Sequence, residues 1–245
     1  MINRLVVNGC SYMDTYASGK GHVDLASLLN ISTAESIAQS GCNNSRILRT
    51  TLKDSYITNE PTLYVVGMTF ISRNEVPILK YMEHDAPETS FEGRWTNPQN
   101  QLFRDKWEDF WTDDDTELFI KIKLKEELLS LVDRTEDLMY RLLSMIADLE
   151  SRNHKVVVYQ QADTSYFSEL STPRLSLFKS KKNFIGSFAW PAIIWQHDQG
   201  VPIKDQNYAS QYGTPPDHIR HRREGEHQLL NEYLTDYIKE HKILD

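Results

Sequence analysis

Residues 62–68, TLYVVGM, set Leu63, Tyr64, Val65 and Val66 side by side and stop them at Gly67. A run this short and this apolar reads as a buried strand. LVVNGCS (5–11) has the same form: Leu5, Val6 and Val7 end in Asn8-Gly9-Cys10-Ser11. HKVVVYQ (154–160) is a third such run, and AESIAQSG (34–41) a shorter one entering another small-residue turn. Helical spacing separates these runs. Val23, Leu25, Leu28 and Leu29 mark a helix over 22–30, and Asn43 or Asn44 caps one over 43–55. Thr116 to Glu150 carries a stripe that includes Leu138, Leu142, Met145 and Leu149, and a last helix is predicted over about 223–240. Alternating strands and helices of this kind predict an α/β fold with a mainly parallel sheet. Residues 173–184 read as a short helix, and the apolar GSFAWPAIIW (186–195) as a strand or a helix docked on the core.

Residues 76–112 break the rhythm. Pro77, Pro87 and Pro98 stand among polar residues and six large aromatics, Phe91, Trp95, Phe103, Trp107, Phe110 and Trp111. This is read as an insertion in a single domain spanning 1–245, of the kind that often carries function. With 40% apolar residues the 245-residue chain can build a core, and a net charge of −8 argues against a general nucleic-acid binder. No stretch approaches the roughly 20 apolar residues of a membrane span. The N-terminus has no secretory pattern, so a cytoplasmic protein without a membrane partner is expected. Two cysteines, Cys10 and Cys42, make no disulfide framework and are expected to be free thiols.

In parallel α/β sheets, ligands bind at the carboxyl ends of the strands. Three strand ends combine glycine with small hydrogen-bonding side chains: Gly9-Cys10-Ser11, Ser40-Gly41-Cys42-Asn43-Asn44 and Gly67-Met68-Thr69. Backbone N–H groups with Asn and Thr side chains are what an oxyanion hole requires. A serine nucleophile also needs a histidine base oriented by a carboxylate. PPDHIRHRREGEH (215–227) supplies candidates in Asp217, His218, His221 and His227. His218 and His221 lie three apart, but further metal ligands would have to come from elsewhere, so no metal is expected.

Taken in order, these segments resemble the blocks of SGNH (GDSL-like) hydrolases, three-layer α/β/α sandwiches of flavodoxin-like type. NGCSYM resembles the first block, with Ser11 as nucleophile. QSGCNNSRI resembles the second, where Gly41 N–H donates to the oxyanion. VVGMTFISRNE resembles a third-block variant in which Thr69 replaces the usual asparagine. That variant, with Arg73 and Glu75 downstream, is similar to bacteriophage-encoded members and points to a virus-encoded origin. The 215–227 segment resembles the final Asp/His block.

The resemblance implies a serine esterase acting on a small acyl ester, such as O-acetyl on a carbohydrate, without metal or organic cofactor. Ser11 attacks, His221 is the base and Asp217 orients it. Ser11 N–H, Gly41 N–H and either Thr69 or Asn44 hold the oxyanion, and Arg73 can bind an acidic group of the substrate. Two departures stand out. The family's aspartate precedes its histidine by two or three residues. Here His221 follows Asp217 by four, and His218 adjoins it as an alternate base. Thr69 is also shorter than an asparagine. Both departures are compatible with a second reading, a binding or structural (virion-associated) protein that keeps the fold with its chemistry impaired.

Overall fold

The computed structural model describes residues 2–39, 42–69, 76–77, 95–96, 118, 121–122, 136–160, 180–189 and 226–245. Strand β1 (Arg4–Asn8) leads directly into helix α1 (Ser11–Ser18), followed by α2 (Gly21–Leu28) and β2 (Thr33–Ser36). Helix α3 (Asn44–Ile57) then returns the chain to β3 (Thr62–Met68). A two-residue ladder pairs β4 (Val76–Pro77) with β5 (Trp95–Thr96), antiparallel. Residues 136–151 are helical (α4) and precede β6 (Lys155–Gln160), β7 (Phe184–Ala189) and α5 (Glu226–Glu240).

Five strands form one all-parallel sheet in the order β2-β1-β3-β6-β7. Counted within the sheet this is 2-1-3-4-5, the order of flavodoxin-like doubly wound sheets. Side chains alternate across it. Val6, Tyr64, Val66, Val156 and Val158 pack on one face with α3 and α4, through Ile47, Leu48, Leu142 and Met145. Leu5, Val7, Leu63, Val65 and Val157 pack on the other with α1, α2 and α5, through Met13, Leu25, Leu230 and Leu234. Both faces are therefore covered, which is why these strands read as continuous apolar runs.

The expected α/β fold with a parallel sheet is present, and β3 coincides with TLYVVGM. The predicted helix at 43–55 is α3. Asn43 is its N-cap, and its Oδ1 accepts from Arg46 N at 2.9 Å. Residues 186–189 of the ambiguous apolar segment belong to β7, which begins at Phe184, inside the range read as a short helix. Residues 180–183 form a turn rather than a helix there, and Asn183 holds it: its Nδ2 donates to Val156 O and to Glu150 Oε1. Helix α1 has no counterpart in the sequence reading. Apart from β4 and β5, the 76–112 segment lies outside the described residues, as do the rest of 161–179 and 190–225.

The amino edge of the sheet is held by charge. Arg4, only 6% exposed, donates from its two terminal guanidinium nitrogens to Asp54 of α3, at 2.7 and 2.9 Å. It also bonds Glu35 of β2 at 2.7 and 3.3 Å. Tyr64 Oη donates to the same Asp54 carboxylate at 2.7 Å. One buried cation thus ties β1 to its neighbour strand and to α3. Burial alone would raise the Asp54 carboxyl. The hydrogen bonds from Arg4 and Tyr64 outweigh it and hold the group below its ordinary range. Nearby, burial and then repulsion from Arg152 push His154 down. The neutral ring accepts Thr62 N–H at Nδ1, 3.2 Å away.

Candidate functional site

The order 2-1-3-4-5 reverses direction between β1 and β3, and ligands in such sheets sit beyond the carboxyl ends of the strands at that reversal. Asn8 and Val66 are the last register pair of β1 and β3. Ser11 and Thr69 both stand three residues beyond it. Two of the three strand ends singled out in the sequence therefore follow the paired strands that flank the switch point.

The first strand end is shaped by Asn8, which is fully buried. Its Nδ2 donates to Ile47 O, Thr50 Oγ1 and Thr51 Oγ1 on α3, at 2.8–2.9 Å. Its Oδ1 accepts Gly9 N–H at 2.8 Å. This one amide anchors the end of β1 to α3 and turns the chain at Gly9. Cys10 O then accepts from Met13 N and Asp14 N, both at 3.0 Å, so helix α1 starts at Ser11. Ser11 is the first residue of a helix rather than part of a free turn. First-turn N–H groups have no partner within their own helix, and that end carries partial positive charge.

The second strand end runs alongside the first. Ile37 N and Gln39 N donate to Val7 O and Gly9 O, at 3.0 and 3.1 Å, which prolongs the β2–β1 contact past the regular strand. The Cys42 thiol donates to Gly9 O at 3.2 Å. Both cysteines are buried and neither forms a disulfide, as expected.

The third strand end is clamped to the second. Asn44 Oδ1 accepts Thr69 N–H at 2.9 Å, and its Nδ2 donates to Thr69 O at 3.1 Å. Both ends of the amide are engaged by one residue's backbone, so Asn44 acts as a strut that fixes Thr69. Thr69 itself is fully buried. Its Oγ1 has no hydrogen-bond partner among the described residues. A buried hydroxyl without a partner costs about 1–3 kcal/mol.

Helix α1 is held from below. Tyr16, fully buried, donates to Gly21 O at 2.7 Å and reaches Asn231 Oδ1 of α5. A Cβ on Gly21 would fall 2.2 Å from the Tyr16 ring, so only glycine fits there. His227 packs edge-on against Tyr16, with centroids 5.4 Å apart.

Of the sequence-predicted site residues, the structure joins Asn44 to Thr69 by two hydrogen bonds, and Ser11 opens helix α1 just after the neighbouring strand β1. Gly41, Arg73, Asp217, His218 and His221 lie outside the described residues. The sequence reading missed Asn8 and Tyr16 as the residues that position Ser11. Asn8 had a signal: a polar residue closing a buried strand needs partners, and Thr50 and Thr51 on the next helix supply them. Among the described residues, no group of three or more His, Cys, Asp or Glu side chains could hold a metal ion, and no helix is long and apolar enough to cross a membrane. Comparison with protein-family models, with curated proteins and with solved structures found no match.

Proposed function

We propose that this chain is a serine ester hydrolase of the SGNH type, acting on a small acyl ester such as O-acetyl on a carbohydrate. One observation carries the reading. Thr69 Oγ1, buried and without a partner among the described residues, follows β3, the strand paired with β1, and β1 leads into the helix that begins at Ser11, at the switch point of the sheet. A hydroxyl kept unpaired in a rigid frame is suited to a charge that appears only during reaction.

In this reading Ser11 Oγ attacks the ester carbonyl. His221 takes the serine proton and delivers it to the leaving alcohol, and Asp217 orients the imidazole. Water then attacks the acyl-enzyme, with His221 as base, and Ser11 is regenerated. The oxyanion is held by Ser11 N–H at the start of α1, by Gly41 N–H and by the Thr69 hydroxyl. Asn44 contributes by holding Thr69, since its own amide is engaged. Arg73 pairs with an acidic group on the substrate, and His218 is the alternate base. No metal or organic cofactor enters these steps.

The test is turnover of p-nitrophenyl acetate and of an O-acetylated glycan by the full chain and by Ser11→Ala, His221→Ala and His218→Ala. Ser11→Ala is expected to fall to the uncatalysed rate, and His221→Ala to fall much further than His218→Ala. Undiminished turnover in Ser11→Ala overturns the assignment. No turnover in the wild type favours a binding or structural protein on the same fold.

A further inference from the structure

A cavity of about 520 Å³ opens between α3 and the chain that follows β2. Ile37, Ala38 and Gln39 form one wall, and Arg46, Thr50 and Lys53 the other. Ligand pockets of globular proteins span about 300–1,000 Å³, so this one is of small-molecule size. Its position differs from that of the candidate ester site: it lies along the side of α3.

Its chemistry is specific. Arg46, Thr50 and Lys53 lie on one face of α3, at helical spacing. Arg46 Nη1 is buried and has no acceptor among the described residues. A half-buried arginine that lines a cavity offers an entering anion charge-assisted hydrogen bonds at a place already partly shielded from water. Asp54 also lines the cavity, but its carboxylate is already engaged by Arg4 and Tyr64. It is therefore a poor partner for Arg46. Ile37, Ala38 and Ile57 supply the apolar part of the lining.

We propose that this cavity binds a small amphipathic organic anion, with an apolar body against Ile37, Ala38 and Ile57 and a carboxylate or phosphate on Arg46. The site does not depend on the ester reading. It is nevertheless wired to the same strand ends. Gln39 N donates to Gly9 O, and Thr50 Oγ1 accepts from Asn8 Nδ2. The Arg46 backbone is held by Asn43, next to the Asn44 strut.

The experiment is isothermal titration calorimetry of the full chain with octanoate, octyl phosphate and the neutral octanol. Arg46→Gln and Lys53→Gln are compared with Lys239→Gln, a charge-matched control on the exposed last turn of α5. Thermal unfolding of each variant checks that it is folded. One anion is expected to saturate a single site and to bind roughly tenfold or more tighter than octanol, as a charge-assisted hydrogen bond implies. The stronger of octanoate and octyl phosphate identifies the head group. Arg46→Gln is expected to lose about that factor, Lys53→Gln less, and Lys239→Gln nothing. The proposal is overturned by three results: absence of saturable binding, equal binding of octanol, or equal losses in Arg46→Gln and Lys239→Gln. The wild-type comparison of anion with alcohol decides even if Arg46→Gln fails to fold. Because none of these readouts uses turnover, failure here leaves the ester assignment standing, and the reverse.

Discussion

The two edges of the sheet handle buried polarity in opposite ways. At the amino edge, Arg4, Asp54, Glu35 and Tyr64 satisfy one another, with Arg4 and Asp54 joined by two bonds. At the carboxyl edge, Asn8 and Asn44 are also engaged, but with backbone and with α3, and Asn44 holds the backbone of Thr69, whose buried hydroxyl has no partner among the described residues. The first edge closes on itself and stabilises the fold. The second uses the same bonding capacity to fix the Thr69 backbone while its hydroxyl stays unpaired among the described residues. Saturated buried polar groups serve structure, and a buried polar group without a partner calls for an explanation, which at Thr69 the proposed oxyanion supplies.

The largest effect that separates the edges is expected from Thr69→Val. It removes the unpaired hydroxyl and keeps the shape. Ester turnover should fall about 10²–10³-fold, while stability stays level or rises slightly. Denaturant unfolding beside a rate assay checks both. A loss of stability with turnover intact would break the contrast.

Asp54→Ala is the mirror experiment. It leaves the Arg4 cation with Glu35 alone, and stability should fall by about 3 kcal/mol. Turnover per folded molecule should be unchanged, because the loss is confined to the amino edge. Urea midpoints with active-site-normalised rates would show this.

Asn44→Ala should affect both quantities, since it strips two bonds from the Thr69 backbone. A stability loss of about 1–3 kcal/mol is expected, with a fall in turnover smaller than that of Thr69→Val. A change in stability alone would mean that Thr69 needs no strut.

Tyr16→Phe removes the hydroxyl that joins α1 to Gly21 and α5. About 1 kcal/mol of stability should be lost by thermal unfolding. An unchanged melting temperature would show that ring packing alone holds α1.

The smallest effect is on pH. Asp54 and His154 both sit below their ordinary values in the folded protein. Their contribution is complete above the unfolded values, about 3.9 and 6.5, and is lost as pH falls through the lower folded ones. Stability should decline on acidification from about pH 6.5, and more steeply below about pH 4. Asp54→Asn should flatten the acid limb. A stability that rises toward pH 4 would reverse the sign assigned to both groups.

Much of the fold was legible because strand boundaries coincide with changes in chemistry. The apolar run of β3 ends at Met68, just before Thr69, and Asn43 caps α3 as its residue type suggests. Helix α1 was not legible. SYMDTYAS is mostly polar and short, and long-range contacts of Met13 and Tyr16 tie it to the core. The turn at 180–183 was read as helix because Asn183 finds its partners on distant elements. At the site, the positions Ser11, Asn44 and Thr69 stood out by their glycine-rich surroundings. Their connections did not, because Asn44 and Thr69 are 25 residues apart. The Arg4–Asp54 pair, 50 residues apart, has no local pattern either.

The proposed function stands or falls with Ser11, at the start of α1, as an activated nucleophile. Labelling the folded protein with a fluorophosphonate probe and mapping the adduct by mass spectrometry decides this. A single adduct is expected on Ser11, and it should disappear in His221→Ala. Folded protein that takes up no label, or takes it up elsewhere, overturns the assignment.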